Sequence, residues 1–147
     1  MPMEARNEQY RARVRAIVED TGFTQMLGLE LESVQPGRCV TCLPVTDRLL
    51  QHDRYVHAGV QATLADHTAG SAAYSLIGAD QQALTVEFKI NLLRPAVGES
   101  LRCESTVLRA GRSIIVAEST LYAGKTADDA RMSAKAMVTL AVTNLGA

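Results

Sequence analysis

The chain has 147 residues, a length that fits one domain around a single core. Hydrophobic residues make up 47%, which argues against disorder, and no apolar run approaches the ~18 residues of a membrane span. A net charge of −1, no Trp and only two Phe leave no basis for a broad basic face or a base-stacking platform, so neither nucleic acid nor a membrane is an expected partner.

The first segment, "MPMEARNEQYRARVRAIVED", is charged and lacks the apolar core of a signal peptide, so the cytoplasm is the expected compartment. Tyr10, Val14, Ile17 and Val18 recur at helical spacing. They predict an amphipathic helix over 3–20, with Gly22 as its C-cap. "LGLELESVQPGRCVTCLPV" then predicts a hairpin that turns at "QPG". Cys39, Cys42 and Cys103 are an odd number without a secretion signal, which argues against a disulfide framework. Cys39 and Cys42 match C-x-x-C, but strand residues three apart point to opposite faces and no second pair completes a zinc site. No metal is expected.

After a polar loop at 46–57, an Ala-rich helix is predicted over 58–77, broken by Gly78 and Asp80. Ala58, Ala62, Ala65, Ala69 and Ala72 step by 4, 3, 4 and 3, making one face of methyl groups that Leu76 closes. Gly59, Gly70 and Ala73 widen it. Such a face lets a sheet approach closely. The pattern then changes to period two. Leu84, Val86, Phe88, Ile90 and Leu92 are expected on one face of a strand, with Thr85, Glu87, Lys89 and Asn91 on the other. Three more strands follow, in "SLRCESTVLRA", "SIIVAESTLYA" and "MSAKAMVTLAVT". Strands joined by short turns are expected to be antiparallel neighbours. Together these elements predict an α+β fold, a curved antiparallel sheet wrapped around one long helix.

Asp66 stands out on the small-residue face of that helix. Burying an unpaired carboxylate costs several kcal/mol or forces protonation. It therefore either sits in a special environment or lies at a flank, where it meets water or a cation. At the start of the helix, the Ala58 amide has no intrahelical acceptor and sits at the positive end of the macrodipole. A free amide there can hold an oxyanion. Gln51, His52, Asp53 and His57 lie just before it. An amide side chain, a free N–H and a carboxylate are the parts that water attack on an acyl group requires.

"VHAGVQATLADHTAG", with "VEFKINLLRPAVGESLRCESTVLRAGRS", resembles the hotdog-fold acyl-CoA thioesterases of the phenylacetate-pathway (PaaI-like) type. The shared features are a His at the helix start with an Asp nine residues on, His57 to Asp66, and a later strand and turn reading "INLLRPAVGE". The resemblance spans about residues 25–143, with residues 1–24 an added N-terminal helix and 25–147 the hotdog domain. It implies an acyl-CoA substrate, CoA being part of that substrate with no further cofactor, and assembly as a homodimer or homotetramer with sites at subunit interfaces. Asp66 would act as general base or nucleophile, and the Ala58 amide would hold the thioester oxygen. His57-Ala58-Gly59 departs from the family's His-Gly-Gly, but only the backbone N–H is needed. Gln51, where Asn is common in the family, would orient water or thioester, and Thr85 would assist the water. His57 is a further catalytic candidate, its alternative a local hydrogen bond at the helix start, and Gly59 is a candidate for binding the CoA part, its alternative close packing. Arg94, Arg109 and Arg112 are the candidate cations for the CoA phosphates. Two other readings remain open: a non-catalytic acyl-CoA-binding module, and a hotdog hydratase, whose Asp-x-Asn-Pro-x-His motif is not found here.

Overall fold

The computed structural model describes residues 2–146. Helix α1 spans Tyr10–Glu19 and presents Tyr10, Val14 and Val18 to the core. It is shorter than the 3–20 expected. Gly22 does not cap it but opens a second helix, α2 (Gly22–Leu27), which ends at Gly28 in the left-handed conformation, φ +84°. Strands β1 (Glu30–Gln35) and β2 (Arg38–Pro44) form the expected hairpin, and Gly37 supplies the positive φ of +79° that its tight turn needs.

Helix α3 runs Ala58–Tyr74. Ala65, Ala69 and Ala72 of its methyl face are fully buried, while Ala58 is exposed and Ala62 half-buried. The methyl face is thus covered from Ala65 onward and open at its N-terminal end. Leu43, Leu64, Leu101, Leu121, Val138 and Leu140 fill the space between helix and sheet. Valines 14 and 18 of α1 join this same core from the other side of α3.

Strands β3 (Gln81–Leu92), β4 (Ser100–Ala110), β5 (Ile114–Gly124) and β6 (Arg131–Asn144) complete one antiparallel sheet of order β1-β2-β4-β5-β6-β3. The expectation that each strand neighbours the next fails between β3 and β4. Residues 93–99 instead cross the end of the sheet, so β4 pairs with β2 while β3 pairs with β6 at the far edge. The crossing is tight. Gly98 has φ +147°, and a Cβ there would lie 2.4 Å from the Gly124 backbone. The Glu99 N–H donates to the Gly124 carbonyl at 3.0 Å.

Strand β3 also departs from simple alternation. Its register against β6 slips between Thr85 and Glu87, a β-bulge at Val86. Phe88, Ile90 and Leu92 pair with Val138, Ala136 and Ala134, all buried, and so face the helix as expected. Before the bulge the faces exchange: Thr85, opposite buried Leu140, turns toward α3, and Leu84 turns away. The bulge is what brings the Thr85 hydroxyl to the helix.

Candidate active site

Asp66 lies at the flank of α3, half-buried, and the helix-facing Thr85 Oγ1 donates to its Oδ1 at 2.7 Å. It is thus neither an unpaired buried charge nor one paired to a cation.

At the other end of the arrangement, the loop before α3 is pinned in three places. The Val56 N–H donates to Ala96 at 3.0 Å, the His57 N–H to Leu49 at 2.9 Å, and Leu50 and Val56 form an isolated β-bridge. His57 is the N-cap of α3, its Nδ1 accepting from the Gly59 N–H at 2.8 Å. Gly59 permits this approach, since a Cβ there would stand 3.0 Å from His57 Nδ1. The carbonyl of His57 receives the N–H groups of Val60 and Gln61. Among the described residues the Ala58 N–H has no acceptor. Gln51 Oε1 accepts from the Asp53 N–H, closing a turn in which Arg54 takes φ +69°.

A cleft of about 480 Å³ opens at this helix start, lined among others by Gln51, His57, Ala58, Gln61, Leu92 and Arg94. It adjoins a second hollow of about 620 Å³ through the shared wall Leu93, Arg94 and Pro95. There Lys125 and Arg131 join Arg94, and none of the three cations forms an ion pair among the described residues. The hollow's carboxylate, Asp129, instead accepts from the Thr126 N–H at 2.7 Å, and these loop hydrogen bonds hold its pKa below the usual range. The rim is therefore net cationic.

The structure brings Gln51, His57, Ala58, Gly59 and Arg94 to one end of the molecule. Arg109 and Arg112 lie at the β4–β5 turn, at the opposite end of the sheet. Asp66 and Thr85 stand between, eight residues along α3 from Ala58 and hence about 12 Å away at 1.5 Å per residue. Sequence reasoning missed Lys125, Arg131 and Gln61. The first two lie in the β5–β6 loop and at the start of β6, and no local pattern places them beside Arg94.

Cys39 and Cys103 are buried, and burial pushes their thiols up to about 12 and about 11. They supply no nucleophile at neutral pH. Among the described residues no helix is long and apolar enough to cross a membrane.

The six-stranded antiparallel sheet curved around α3 defines the hotdog thioesterase fold. The Thioesterase superfamily model matches residues 54–130, and the chain belongs to that family of thioester hydrolases. A thioesterase family protein from Silicibacter pomeroyi has the same fold at a TM-score of 0.88 and 34% identity, over 92% of this chain and 98% of that one. The 1,4-dihydroxy-2-naphthoyl-CoA hydrolase of Listeria monocytogenes is 30% identical over 97 residues, which are 66% of this chain and 79% of that protein. A Haemophilus influenzae thioesterase shares the fold at a TM-score of 0.85, at 20% identity over 99% of this chain and 98% of that one.

Proposed function

We propose that the chain hydrolyses acyl-CoA thioesters as a homodimer of the phenylacetate-pathway type, in which the Ala58 amide of one copy and Asp66 of the other serve one site. The observation that carries this reading is the pair of features on α3: an unsatisfied N–H at the mouth of a cleft, and a carboxylate fastened by Thr85. In one chain they are too far apart, at about 12 Å, to act on the same carbonyl carbon.

The open edge of β3 supports the dimer. This strand ends the sheet, is 12 residues long, and leaves Leu84, Val86 and Leu92 about half exposed at 51, 57 and 49%. A long apolar edge of this kind is a template for strand pairing. Antiparallel pairing of two β3 strands centred near Phe88 sets Thr85 of one copy opposite the Asn91 end of the other, beside the Ala58 cleft. Met132 and Met137, exposed on the sheet face away from α3, offer apolar surface for two such dimers to meet as a tetramer.

In the reaction, the thioester carbonyl accepts from the Ala58 N–H and the α3 dipole favours negative charge on that oxygen. Asp66 takes a proton from water as the water oxygen bonds to the carbonyl carbon. The C–S bond then breaks and the proton passes to the CoA thiolate. The same geometry serves direct attack by Asp66, giving an acyl anhydride that water cleaves. Arg94, Lys125 and Arg131 would receive the phosphates of CoA. Thiol release from a panel of acyl-CoA esters tests the reading. Wild type cleaves some members, and Asp66→Asn loses about 100-fold or more. Binding of CoA esters without release of thiol by the wild type would mark a non-catalytic module instead, and hydration that leaves the thioester intact would mark a lyase.

A further inference from the structure

The cleft at Ala58 has a polar wall that hydrolysis itself does not use. Gln61 sits in the first turn of α3, only 4% exposed, and lines the cleft. Ser133, fully buried on β6, donates from Oγ to Gln61 Oε1 at 2.9 Å. The Leu121 carbonyl lies farther from the same hydroxyl, at 3.5 Å, and is the weaker acceptor. With Oε1 occupied, the amide's free donors are on Nε2, which has no acceptor among the described residues. Nor is Nε2 sealed away. Among those residues Thr143 Oγ1 alone is a fully buried polar side-chain atom without a partner. Nε2 therefore reaches open space, and the space that Gln61 lines is the cleft.

Direction follows from the helix. Positions 58 and 61 share a face, and helical side chains lean toward the N-terminus, so Gln61 leans toward the turn that carries Ala58. Exposure falls along the same line: Arg94 and Ala58 are exposed and Gln61 is buried. With the CoA end at the cationic rim and the thioester oxygen at Ala58, the acyl group points inward to Gln61. Around it the wall is apolar, formed by Val56, Leu92, Leu93 and Ala96.

We infer that Gln61, oriented by Ser133, selects acyl groups that carry a hydroxyl or oxo oxygen. The inference rests on the reading of the Ala58 cleft as the thioester site. A plain alkyl or aryl group would strip water from Nε2 and return no hydrogen bond. Leaving a buried donor unpaired disfavours that substrate by about tenfold or more.

The test is thiol release from matched CoA esters that differ by one oxygen: hydroxybenzoyl against benzoyl at each ring position, and 3-hydroxyacyl and 3-oxoacyl against acyl of equal length. Wild type is expected to favour the oxygenated member of at least one pair by about tenfold or more in kcat/KM, and Gln61→Leu to bring the two members of that pair to within about twofold of each other. A cooperative thermal melt reports that the variant is folded, and a folded variant that cleaves neither member overturns the inference by giving Gln61 a general role rather than a selective one. Gln61→Glu, which accepts but does not donate when ionised, is expected to keep a hydroxyl preference and lose an oxo preference. No preference in the wild type, or one that survives Gln61→Leu, overturns the inference while leaving hydrolysis intact. If no ester of any pair releases thiol, the hydrolase reading fails first and this inference with it.

Discussion

Thr85 Oγ1 donates a 2.7 Å hydrogen bond to Asp66 Oδ1, joining the edge strand of the sheet to the flank of its central helix. That bond fixes one carboxylate oxygen and leaves the other free for water or substrate. In the proposed reaction Thr85 is therefore a positioning residue for Asp66. Thr85→Ala is expected to lower kcat by roughly tenfold with little change in KM, and Thr85→Ser to restore most of it, because the hydroxyl rather than the methyl is what Asp66 uses. Equal losses in both variants, measured by steady-state kinetics, would contradict this.

The cations Arg94, Lys125 and Arg131 surround a hollow whose carboxylate is turned into its own loop. A double substitution, Lys125→Glu with Arg131→Glu, is expected to raise KM for acyl-CoA by about tenfold or more and leave kcat within a few-fold. The wild-type KM should rise with salt, as screening weakens phosphate contacts near the surface. Arg109→Glu with Arg112→Glu provides a comparison at the opposite end of the chain's sheet. A larger KM effect from that pair would move the phosphate site to the β4–β5 turn.

His67 ties α3 to α1: its Nε2–H donates to the Ile17 carbonyl at 3.1 Å. Burial lowers its pKa below the usual 6.5, against the smaller opposing pulls of the Ile17 hydrogen bond and Asp66. The folded state therefore binds this proton less readily than the unfolded chain. Its contribution to stability is fully present above about pH 6.5 and is lost as pH falls from there through the lower folded value. Thermal melts should show Tm declining over that acidic window, and His67→Gln, which keeps a donor but cannot titrate, should flatten that part of the profile. A profile unchanged by the substitution would exclude His67 as its source.

Much of the architecture is readable from residue pattern alone. The methyl face of α3, the hairpin at Pro36-Gly37 and the four later strands are local signals, and local signals survive folding. What the pattern hides is non-local. Alternation through Leu84–Leu92 puts Thr85 outward, and one extra residue at Val86 reverses that side without leaving any trace in a period-two count. The turn after β3 looks like any hairpin, yet β3 pairs with β6 because partner choice is decided across the sheet. Helix α2 is six residues of weak pattern, closed by a glycine at Gly28 rather than at Gly22. Gln61 reads as one polar residue in an Ala-rich helix, since its partner Ser133 is 72 positions away. The site residues near Ala58 and Asp66 were visible as chemistry. So was their spacing, eight residues and hence about 12 Å on the predicted helix, whereas the cleft walls that surround Ala58 come from segments distant in the chain and leave no such pattern.

That separation allows a direct test by subunit mixing. Ala58→Pro removes the N–H at the first helical position, where proline is well tolerated, and His57 already has the extended backbone, φ −58° and ψ 138°, that precedes a proline. Ala58→Pro and Asp66→Asn should each fold and each lose acyl-CoA hydrolysis. Mixed in equal amounts and allowed to exchange, half of the dimers carry one subunit of each kind, and each of those has one intact site. Thiol release should therefore return to roughly a quarter of the wild-type rate. Exchange, followed independently by mass tags on the two variants, with no activity above that of the parents would contradict a site shared between Ala58 of one copy and Asp66 of the other.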